Sequence, residues 1–308
     1  MEQANKKIIV FGGTGYYGRK VVEKLLEKNI SIRVVSRNAL AAGKIVGKNV
    51  EIFEGDVTVR QTIIDSLRGV SGIVICLSAM NKKQIKLEWQ IEYDAVISIL
   101  EEAAKYGIQR LVYMSGYEMR EDVLKNLGIP EFGEIKIAIE NKIKQSDFNW
   151  TILGDAPAFE LFFALLKNDR LIIPGGGWRA VPTISADDVG EITAQAVLRD
   201  DLGKLRLRLT GPEAFNFQDA AGLFSKITGK RVKHFPVPLF LFGLVSILTY
   251  PFNPFLRYIY KSLLMLNNFP EALALMVPED HKKLRELFNY EPVTLEMEIR
   301  RKLKENKL

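Results

Sequence analysis

Residues 12–18 read Gly12-Gly13-Thr14-Gly15-Tyr16-Tyr17-Gly18, and the segments on either side give this glycine turn its meaning. The apolar run 6–11 before the turn is typical of a buried parallel strand. After the turn, residues 19–28 carry apolar side chains at helical spacing, and residues 30–35 indicate a second strand. A strand, a glycine turn, a helix and a second strand, together about thirty residues long, are the context that a dinucleotide-binding fingerprint requires.

The three glycines of the turn have separate predicted roles. Gly12 permits the tight turn, Gly15 lets the backbone approach a pyrophosphate, and Gly18 lets the helix pack close to the strand. The N-terminus of that helix offers free N–H groups and the positive end of its dipole to phosphates. We therefore predict a cofactor site formed by Gly12, Thr14, Gly15, Tyr16, Tyr17 and Gly18. The alternative is a turn with a purely structural role.

Strand-like and helix-like segments continue to alternate through the first half of the chain. Further strands are predicted near residues 50–53, 72–78, 110–114 and 150–153, with helices near 60–67, 87–106 and 134–144. This alternation predicts an α/β fold, a doubly wound (Rossmann) parallel sheet with helices on both faces. After about residue 155 the regular alternation of strand-like and helix-like segments ends. We predict an NAD(P)-binding domain over residues 1–155 and a smaller, mostly helical substrate-side region over 156–308, interleaved with the first.

Composition excludes several classes of function. The 308 residues carry 43 Lys and Arg against 37 Asp and Glu, with no block of like charge long enough for a nucleic-acid-binding arm. The single cysteine, Cys76, excludes an internal disulfide, and its place in an apolar run predicts a strand residue and not a nucleophile. Only His234 and His281 are present, so we expect no metal site and no histidine-based triad. No signal-peptide segment opens the chain, which predicts a cytoplasmic location.

The spacing of the glycine turn and the end of the second strand indicate which cofactor binds. The pattern G-x-x-G-x-x-G resembles the short-chain dehydrogenase/reductase superfamily, especially its extended and atypical members. The acidic residue expected after the second strand is missing, and Ser36-Arg37 stands there. An acid would bond the 2′-hydroxyl of NAD, whereas an arginine pairs with a 2′-phosphate. We therefore predict NADP as cofactor, with NADPH preferred over NADH. The alternative is that Arg37 is an ordinary solvated arginine.

Later stretches resemble the atypical reductase group, which includes NmrA-like redox sensors, isoflavone-reductase-like enzymes and the nucleotide-binding accessory subunit of respiratory complex I. Residues 54–57 resemble a family motif whose aspartate reaches the adenine, which implies a role for Asp56 and Val57. Leu77-Ser78-Ala79 occupies the segment that passes under the cofactor ribose. Residues 107–115, 149–153 and 181–189 add weaker likeness. The resemblance covers about residues 6–230.

The catalytic residues of that superfamily are only partly present. The resemblance implies a serine at Ser115 and a lysine at Lys136 that holds the nicotinamide ribose, but Phe132 occupies the tyrosine position and has no proton to give. We expect Phe132 and Lys136 to lie one turn apart on one face of a helix that begins near Glu134. Tyr117 is a substitute proton donor or a half-buried loop aromatic. The alternatives for Ser115 and Lys136 are a strand-end hydroxyl and a solvated lysine.

Two functions remain open on these residues. The first is an NAD(P)H-dependent oxidoreductase that acts on a small apolar carbonyl or activated alkene. The second is a non-catalytic NAD(P)-binding redox sensor or an assembly or accessory subunit, with no small-molecule substrate. Phe132 favours the second function, and Lys136 serves both because it holds the ribose in either case. The sequence sets no expectation for the oligomeric state.

The C-terminal part of the chain is strongly apolar. Residues 237–250 are nearly all apolar, but this run is shorter than the roughly twenty residues that a membrane-spanning helix needs. A second apolar helix is predicted over 255–266, with Arg257 and Lys261 one turn apart, and the prolines at 251 and 254 separate the two. One interpretation of region 237–266 is peripheral association with a membrane or a protein partner. The other is a pair of helices that cover the substrate side.

Overall fold

The computed structural model describes residues 6–250 and 252–308. The first five residues of the predicted domain 1–155 and Pro251 of the apolar region therefore lie outside the described residues. The chain folds as two compact units. Of the described residues, the first unit contains those up to Met119 together with Gly133–Gly154 and Val189–Arg208. The second contains Arg120–Phe132, Asp155–Asp188 and the described residues from Leu209 onward.

Strands and helices alternate through the first half of the chain, and helices predominate towards its end. The strands are β1 (Lys7–Phe11), β2 (Ser31–Ser36), β3 (Glu51–Glu54), β4 (Gly72–Ile75), β5 (Arg110–Gly116), β6 (Asn149–Asp155), β7 (Leu166–Lys167), β8 (Arg170–Pro174), β9 (Val181–Pro182), β10 (Leu205–Leu209), β11 (Ala214–Phe215) and β12 (Lys233–Val237). The α-helices are α1 (Gly18–Glu27), α2 (Ala39–Val46), α3 (Arg60–Ser66), α4 (Ala95–Lys105), α5 (Glu121–Asn126), α6 (Glu134–Lys144), α7 (Glu160–Leu165), α8 (Ala186–Leu198), α9 (Phe217–Thr228), α10 (Leu239–Leu248), α11 (Pro254–Asn267), α12 (Glu271–Leu275), α13 (Val277–Leu287) and α14 (Leu295–Lys304).

The main sheet has seven strands in the order β10-β6-β5-β4-β1-β2-β3. Strands β3, β2, β1, β4 and β5 pair in parallel with their neighbours. For example, Arg33 of β2 lies opposite Glu51 of β3, and Ile75 of β4 lies opposite Tyr113 of β5. The order reverses direction between β1 and β4, which makes their C-terminal ends the place where a doubly wound sheet binds its ligand. The predicted doubly wound α/β fold is confirmed.

The strands form because their side chains are apolar on both faces. Every residue of β4 is buried, and β1 is buried from Ile8 to Phe11, as expected for parallel strands covered by helices on each side. One face packs on α3, α4 and α6, where Ile63, Ile99 and Ile139 are fully buried. Burial of such a side chain stabilises the folded chain by about 1.5–3 kcal/mol.

The second unit has small sheets and most of the later helices. Strands β12, β8 and β7 form a three-stranded sheet in which β12 runs parallel and β7 antiparallel to β8, while β11 pairs antiparallel with β9. The core of this unit is rich in phenylalanine, with Phe162, Phe217 and Phe224 fully buried. Helix α9 begins at the side chain of Asn216, which accepts the N–H of Asp219 and satisfies one free donor of the first turn.

Two elements differ from the sequence predictions. β4 ends at Ile75, so Cys76 follows the strand, although its N–H still donates to the carbonyl of Phe11 at 2.8 Å. The strand stops there because β1 ends at Phe11 and the chain turns away at Gly12. The helix predicted over 87–106 is not uniform. It starts as a 3₁₀ turn (Ile85–Leu87) and a π-helical segment (Trp89–Asp94) before α4 begins.

Across residues 6–250 and 252–308, no helix combines the length and the hydropathy needed to cross a bilayer.

Candidate functional site

The glycine turn lies at the C-terminal ends of β1 and β4. Gly12 has a φ of +81°, and a Cβ there would lie 2.5 Å from the carbonyl oxygen of Cys76, so only glycine fits between the two strands. A Cβ on Gly18 would overlap the carbonyl oxygen of Gly12. The amide of Gly15 donates to that same carbonyl at 2.9 Å and closes the turn. The turn therefore brings the N-terminus of α1 to the reversal point of the sheet.

The N-terminus of α1 suits an anion. No side chain caps it, and its first turn contains no acidic residue. The residues Gly15 and Tyr16 are exposed, whereas Thr14 and Tyr17 are half-buried. The Arg19 guanidinium lies 5.5 Å from the centre of the Tyr16 ring, which adds positive charge beside the turn. Exposed N–H groups at the positive end of a helix dipole are the usual ligands of a phosphate.

The ends of β2 and β3 bring the predicted adenosine-side residues together. The amide of Gly55 donates to the carbonyl of Ser36 at 2.9 Å, so the segment with Asp56 runs beside the end of β2. The Asp56 carboxylate accepts the N–H and the hydroxyl of Thr58 at 2.9 and 2.8 Å, which holds it in a local turn. Val57 packs against the core. Arg37 is exposed and makes no ion pair with any residue that the structure describes.

The segment after β4 is fixed by a carboxylate that the sequence analysis missed. Leu77 packs against the core and Ser78 is exposed, while the N–H of Ala79 donates to Glu92 at 2.6 Å. Glu92 is 2% exposed and also pairs with the ammonium of Lys136 at 3.1 Å. One buried carboxylate thus joins the predicted ribose segment to the predicted ribose-binding lysine. Its sequence signal is an acid among the apolar positions 91–99, in a π-helical segment of the kind often found at functional sites.

Lys136 lies in a mostly buried environment, and its side chain is 14% exposed. Its ammonium is 5.3 Å from the centre of the Tyr113 ring. Burial raises the pKa of the Tyr113 phenol to about 12, although the charge of Lys136 opposes the rise. The phenol therefore stays protonated at neutral pH. Lys136 is not the solvated helix lysine of the alternative interpretation.

The hydroxyl of Ser115 is already engaged. It is 2% exposed and donates to the Glu140 carboxylate at 2.7 Å. Arg206 and Lys144 pair with the same carboxylate at 3.0 and 2.8 Å. Burial alone would raise the pKa of Glu140, but the charge of Arg206 and the hydrogen bonds from its three partners hold that pKa below its ordinary value of 4.5. Ser115 therefore belongs to a buried ionic cluster at the end of β5.

Tyr117 directly follows β5 and is buried, with 4% of its surface exposed. The Arg208 guanidinium lies 5.6 Å from the centre of its ring and pairs with Glu118 at 2.6 Å. The carbonyl of Tyr117 accepts a hydrogen bond from Arg206 at 3.3 Å. Arg206 of β10 therefore holds both Ser115, through Glu140, and the backbone at Tyr117, while Arg208 of the same strand contacts the Tyr117 ring.

The expectation that Phe132 and Lys136 share one helical face is wrong. Phe132 ends a 3₁₀ turn (Pro130–Phe132), and α6 begins two residues later at Glu134, after Gly133. The amide of Phe132 bonds to the carbonyl of Ile129 at 3.0 Å, which closes that turn, and its ring stacks on Tyr258 at 5.6 Å. Local hydrogen bonding and an aromatic partner from α11 therefore place this residue outside the helix that carries Lys136.

The family model described as the NmrA-like family matches residues 4–296 of the chain. Among curated proteins, the photosystem II assembly factor Ycf39 of Trieres chinensis is 24% identical over 244 residues, which cover 78% of this chain and 74% of that protein. The chloroplastic divinyl chlorophyllide a 8-vinyl-reductase of Arabidopsis thaliana is 25% identical over 259 residues, covering 75% and 60% of the two chains.

Solved structures share the fold. The triphenylmethane reductase of Citrobacter sp., complexed with NADP(H), superposes with a TM-score of 0.75 at 18% identity and covers 98% of this chain and 100% of its own. At that identity the likeness supports the fold of the whole chain and carries no statement about substrate.

Proposed function

Because the chain belongs to the NmrA-like family, we propose that it is an NAD(P)H-dependent oxidoreductase that prefers NADPH. The observation that carries the proposal is the glycine turn, which lies at the C-terminal ends of β1 and β4 and precedes a helix with no acid in its first turn. A Cβ at Gly12 or Gly18 would overlap backbone atoms of the chain, so the tight turn requires glycine at both positions. The reductases among the relatives and the NADP(H) complex of a fold neighbour agree with this assignment.

The residues present fit the parts of NADPH. The glycine turn and the N-terminus of α1 would bind the pyrophosphate, and the exposed guanidinium of Arg37 would bind the 2′-phosphate. Lys136, oriented by Glu92, would hold the nicotinamide ribose. The bound cofactor supplies a hydride. We assign the proton that a reduced carbonyl needs to Tyr117, since the Ser115 hydroxyl is committed to Glu140. The proposed substrate is a small apolar carbonyl or activated alkene.

Oxidation of NADPH against a panel of aldehydes, ketones, quinones and enones tests the proposal. We expect turnover with at least one class, and Tyr117→Phe should lower kcat by about a hundredfold or more with an unchanged affinity for NADPH. Tyr106→Phe, an exposed tyrosine at the end of α4, is the matched control. Unchanged kcat in Tyr117→Phe would remove Tyr117 from the mechanism and leave the cofactor assignment standing.

A second candidate is a non-catalytic NAD(P)-binding assembly subunit. Phe132 in the tyrosine position and the engaged hydroxyl of Ser115 favour it, and one relative is a photosystem II assembly factor. This candidate predicts that NADPH binds with one-to-one stoichiometry and that no member of the panel is reduced. Calorimetry and the turnover assay on the same preparation therefore separate the two functions.

A further inference from the structure

The net positive charge of the chain is confined to one stretch. Residues 220–270 contain six basic residues and no aspartate or glutamate: Lys226, Lys230, Arg231, Lys233, Arg257 and Lys261. The other 37 basic residues balance the 37 acidic residues of the chain, so this stretch accounts for the whole net charge of +6. It contains β12, α10 and α11.

Helix α10 turns most of its large apolar side chains to solvent. Phe240, Ile247 and Leu248 are 70%, 64% and 69% exposed. The helix packs on α11 through its small residues, because Gly243 and Ser246 are buried and a Cβ on Gly243 would lie 2.9 Å from the Tyr260 ring. Contiguous apolar patches on a protein surface mark interaction sites.

Aromatic residues paired with arginines flank α10 at both ends. Before it, Phe235 is exposed and lies 5.3 Å from the Arg170 guanidinium, measured to the ring centre. After it, Tyr250 is exposed, and the centre of its ring lies 4.7 Å from the Arg257 guanidinium. Phe252, which follows, is 87% exposed. Tyrosine side chains such as Tyr250 are enriched at the level of lipid headgroups, because the hydroxyl is wet and the ring is apolar.

We propose that this surface docks on a bilayer that contains anionic lipids. We use the name α10 surface for the exposed residues of the segment from residue 230 to residue 252, namely Lys230, Arg231, Lys233, Phe235, Phe240, Leu241, Leu244, Val245, Ile247, Leu248, Tyr250 and Phe252. Its ten-residue helix is about 15 Å long, half the thickness of a hydrocarbon core, so α10 cannot span the bilayer and we place it in the plane of the interface. The apolar side chains enter the boundary between headgroups and acyl chains, and the basic residues face the headgroups.

The charge pattern favours a lipid surface over a protein partner. A surface of one sign is complementary to a surface of the opposite sign, and segments that lie on membranes combine exposed apolar side chains with Lys and Arg. The charged residues of the α10 surface are all cations, and on the neighbouring α11 Lys261 pairs with Glu131 at 2.6 Å. A uniformly anionic bilayer is the occupant that matches a surface of one sign.

Flotation of the full chain with vesicles tests the proposal. The vesicles are phosphatidylcholine alone, or phosphatidylcholine with one third phosphatidylglycerol, in about 0.15 M salt. We expect at least tenfold more bound protein on the anionic vesicles. The triple variant Phe240→Asn, Leu244→Asn, Leu248→Asn should lose this binding. The triple variant Lys230→Gln, Arg231→Gln, Lys233→Gln should bind at least tenfold less, with little further loss in about 1 M salt.

Two matched controls change equally exposed residues elsewhere. Leu40→Asn, Ile45→Asn, Leu275→Asn removes three exposed apolar side chains, and Lys44→Gln, Lys48→Gln, Lys142→Gln removes three exposed cations. Both should float like the parent, and circular dichroism and NADPH affinity verify that every variant is folded. Equal flotation of the α10 triple variant and the parent would overturn the proposal. Failure of the parent to float with anionic vesicles would overturn it as well. If the parent then self-associates and the α10 triple variant does not, the surface is a protein interface.

Discussion

The proposed preference for NADPH rests on Arg37. Its guanidinium is exposed at the end of β2 and has no ion pair within the described part of the chain, so it is available to a 2′-phosphate. We expect Arg37→Ala to weaken NADPH binding by about 1–3 kcal/mol, the range for hydrogen bonds to charged groups, and to leave NADH binding unchanged. Titration calorimetry with both cofactors measures this, with Arg68→Ala, an exposed arginine after α3, as control. An equal loss for both cofactors would contradict the 2′-phosphate assignment.

Glu140 links the stability of the chain to acid. Its pKa is lowered in the folded protein because Arg206, Lys144 and Ser115 outweigh the effect of burial. A carboxyl whose pKa is lowered by folding stabilises the folded chain at every pH above its ordinary pKa of 4.5. This contribution is lost as the pH falls through the lower pKa that the carboxyl has in the folded protein. We therefore expect Glu140→Gln to lower the free energy of unfolding by about 1–3 kcal/mol at neutral pH and by much less in acid.

Urea denaturation of Glu140→Gln and of the parent, at neutral pH and below pH 4.5, measures this difference. Glu121→Gln is the control because its partner Lys125 and its own side chain are exposed, and such pairs contribute about 0–1 kcal/mol. If the free energies of unfolding of Glu140→Gln and the parent differ by the same amount at both pH values, the Glu140 carboxyl does not link stability to acid.

At the scale of elements, the π-helical segment Trp89–Asp94 positions one buried carboxylate. It presents Glu92 to the amide of Ala79 and to Lys136. We expect Glu92→Ala to destabilise the chain by about 3–5 kcal/mol, because it removes the carboxylate that pairs with a mostly buried cation. Glu92→Gln retains an acceptor for the amide and should cost less, yet NADPH affinity should fall in both variants.

Chemical denaturation and calorimetry measure the two effects of Glu92 separately. Glu101→Ala, an exposed acid of α4, is the control. Normal NADPH affinity in a folded Glu92→Gln variant would show that Lys136 needs no positioning by this carboxylate. Loss of affinity in Glu101→Ala would point to a general effect on α4 instead.

How far the sequence predicts an element depends on whether its determinants are local. β1, the glycine turn and α1 were predictable because a buried apolar run, Gly12 and Gly18 act within one short segment. The position of Phe132 outside α6 was not predictable, because it depends on the closure of a 3₁₀ turn and on stacking with Tyr258, which is far along the chain. Glu92 was missed for the same reason. Its partners lie in other elements, and no spacing rule marks a π-helical segment.

For the whole molecule, NADPH is expected to act as a stabilising ligand. A ligand that binds only the folded state at a hundred times its Kd raises the free energy of unfolding by about 2.7 kcal/mol. We expect a shift of that size in urea denaturation with saturating NADPH. Gly18→Val should abolish the shift because its side chain would overlap the carbonyl of Gly12. Gly222→Val, a helical glycine of α9 with open space around it, is the control. A persistent shift in Gly18→Val would place the cofactor elsewhere.

The interleaving of the two units has a consequence for a chain that is synthesised in one direction. β6 is complete once Asp155 has been added, but its outer neighbour β10 ends only at Leu209. At a ribosomal rate of about 5–20 residues per second, β6 waits roughly 3–11 s as an unpaired edge. An unpaired edge is a template on which another chain can add a strand. The speed at which codons 156–209 are translated therefore sets how long each nascent chain is open to aggregation with its neighbours on the same messenger RNA.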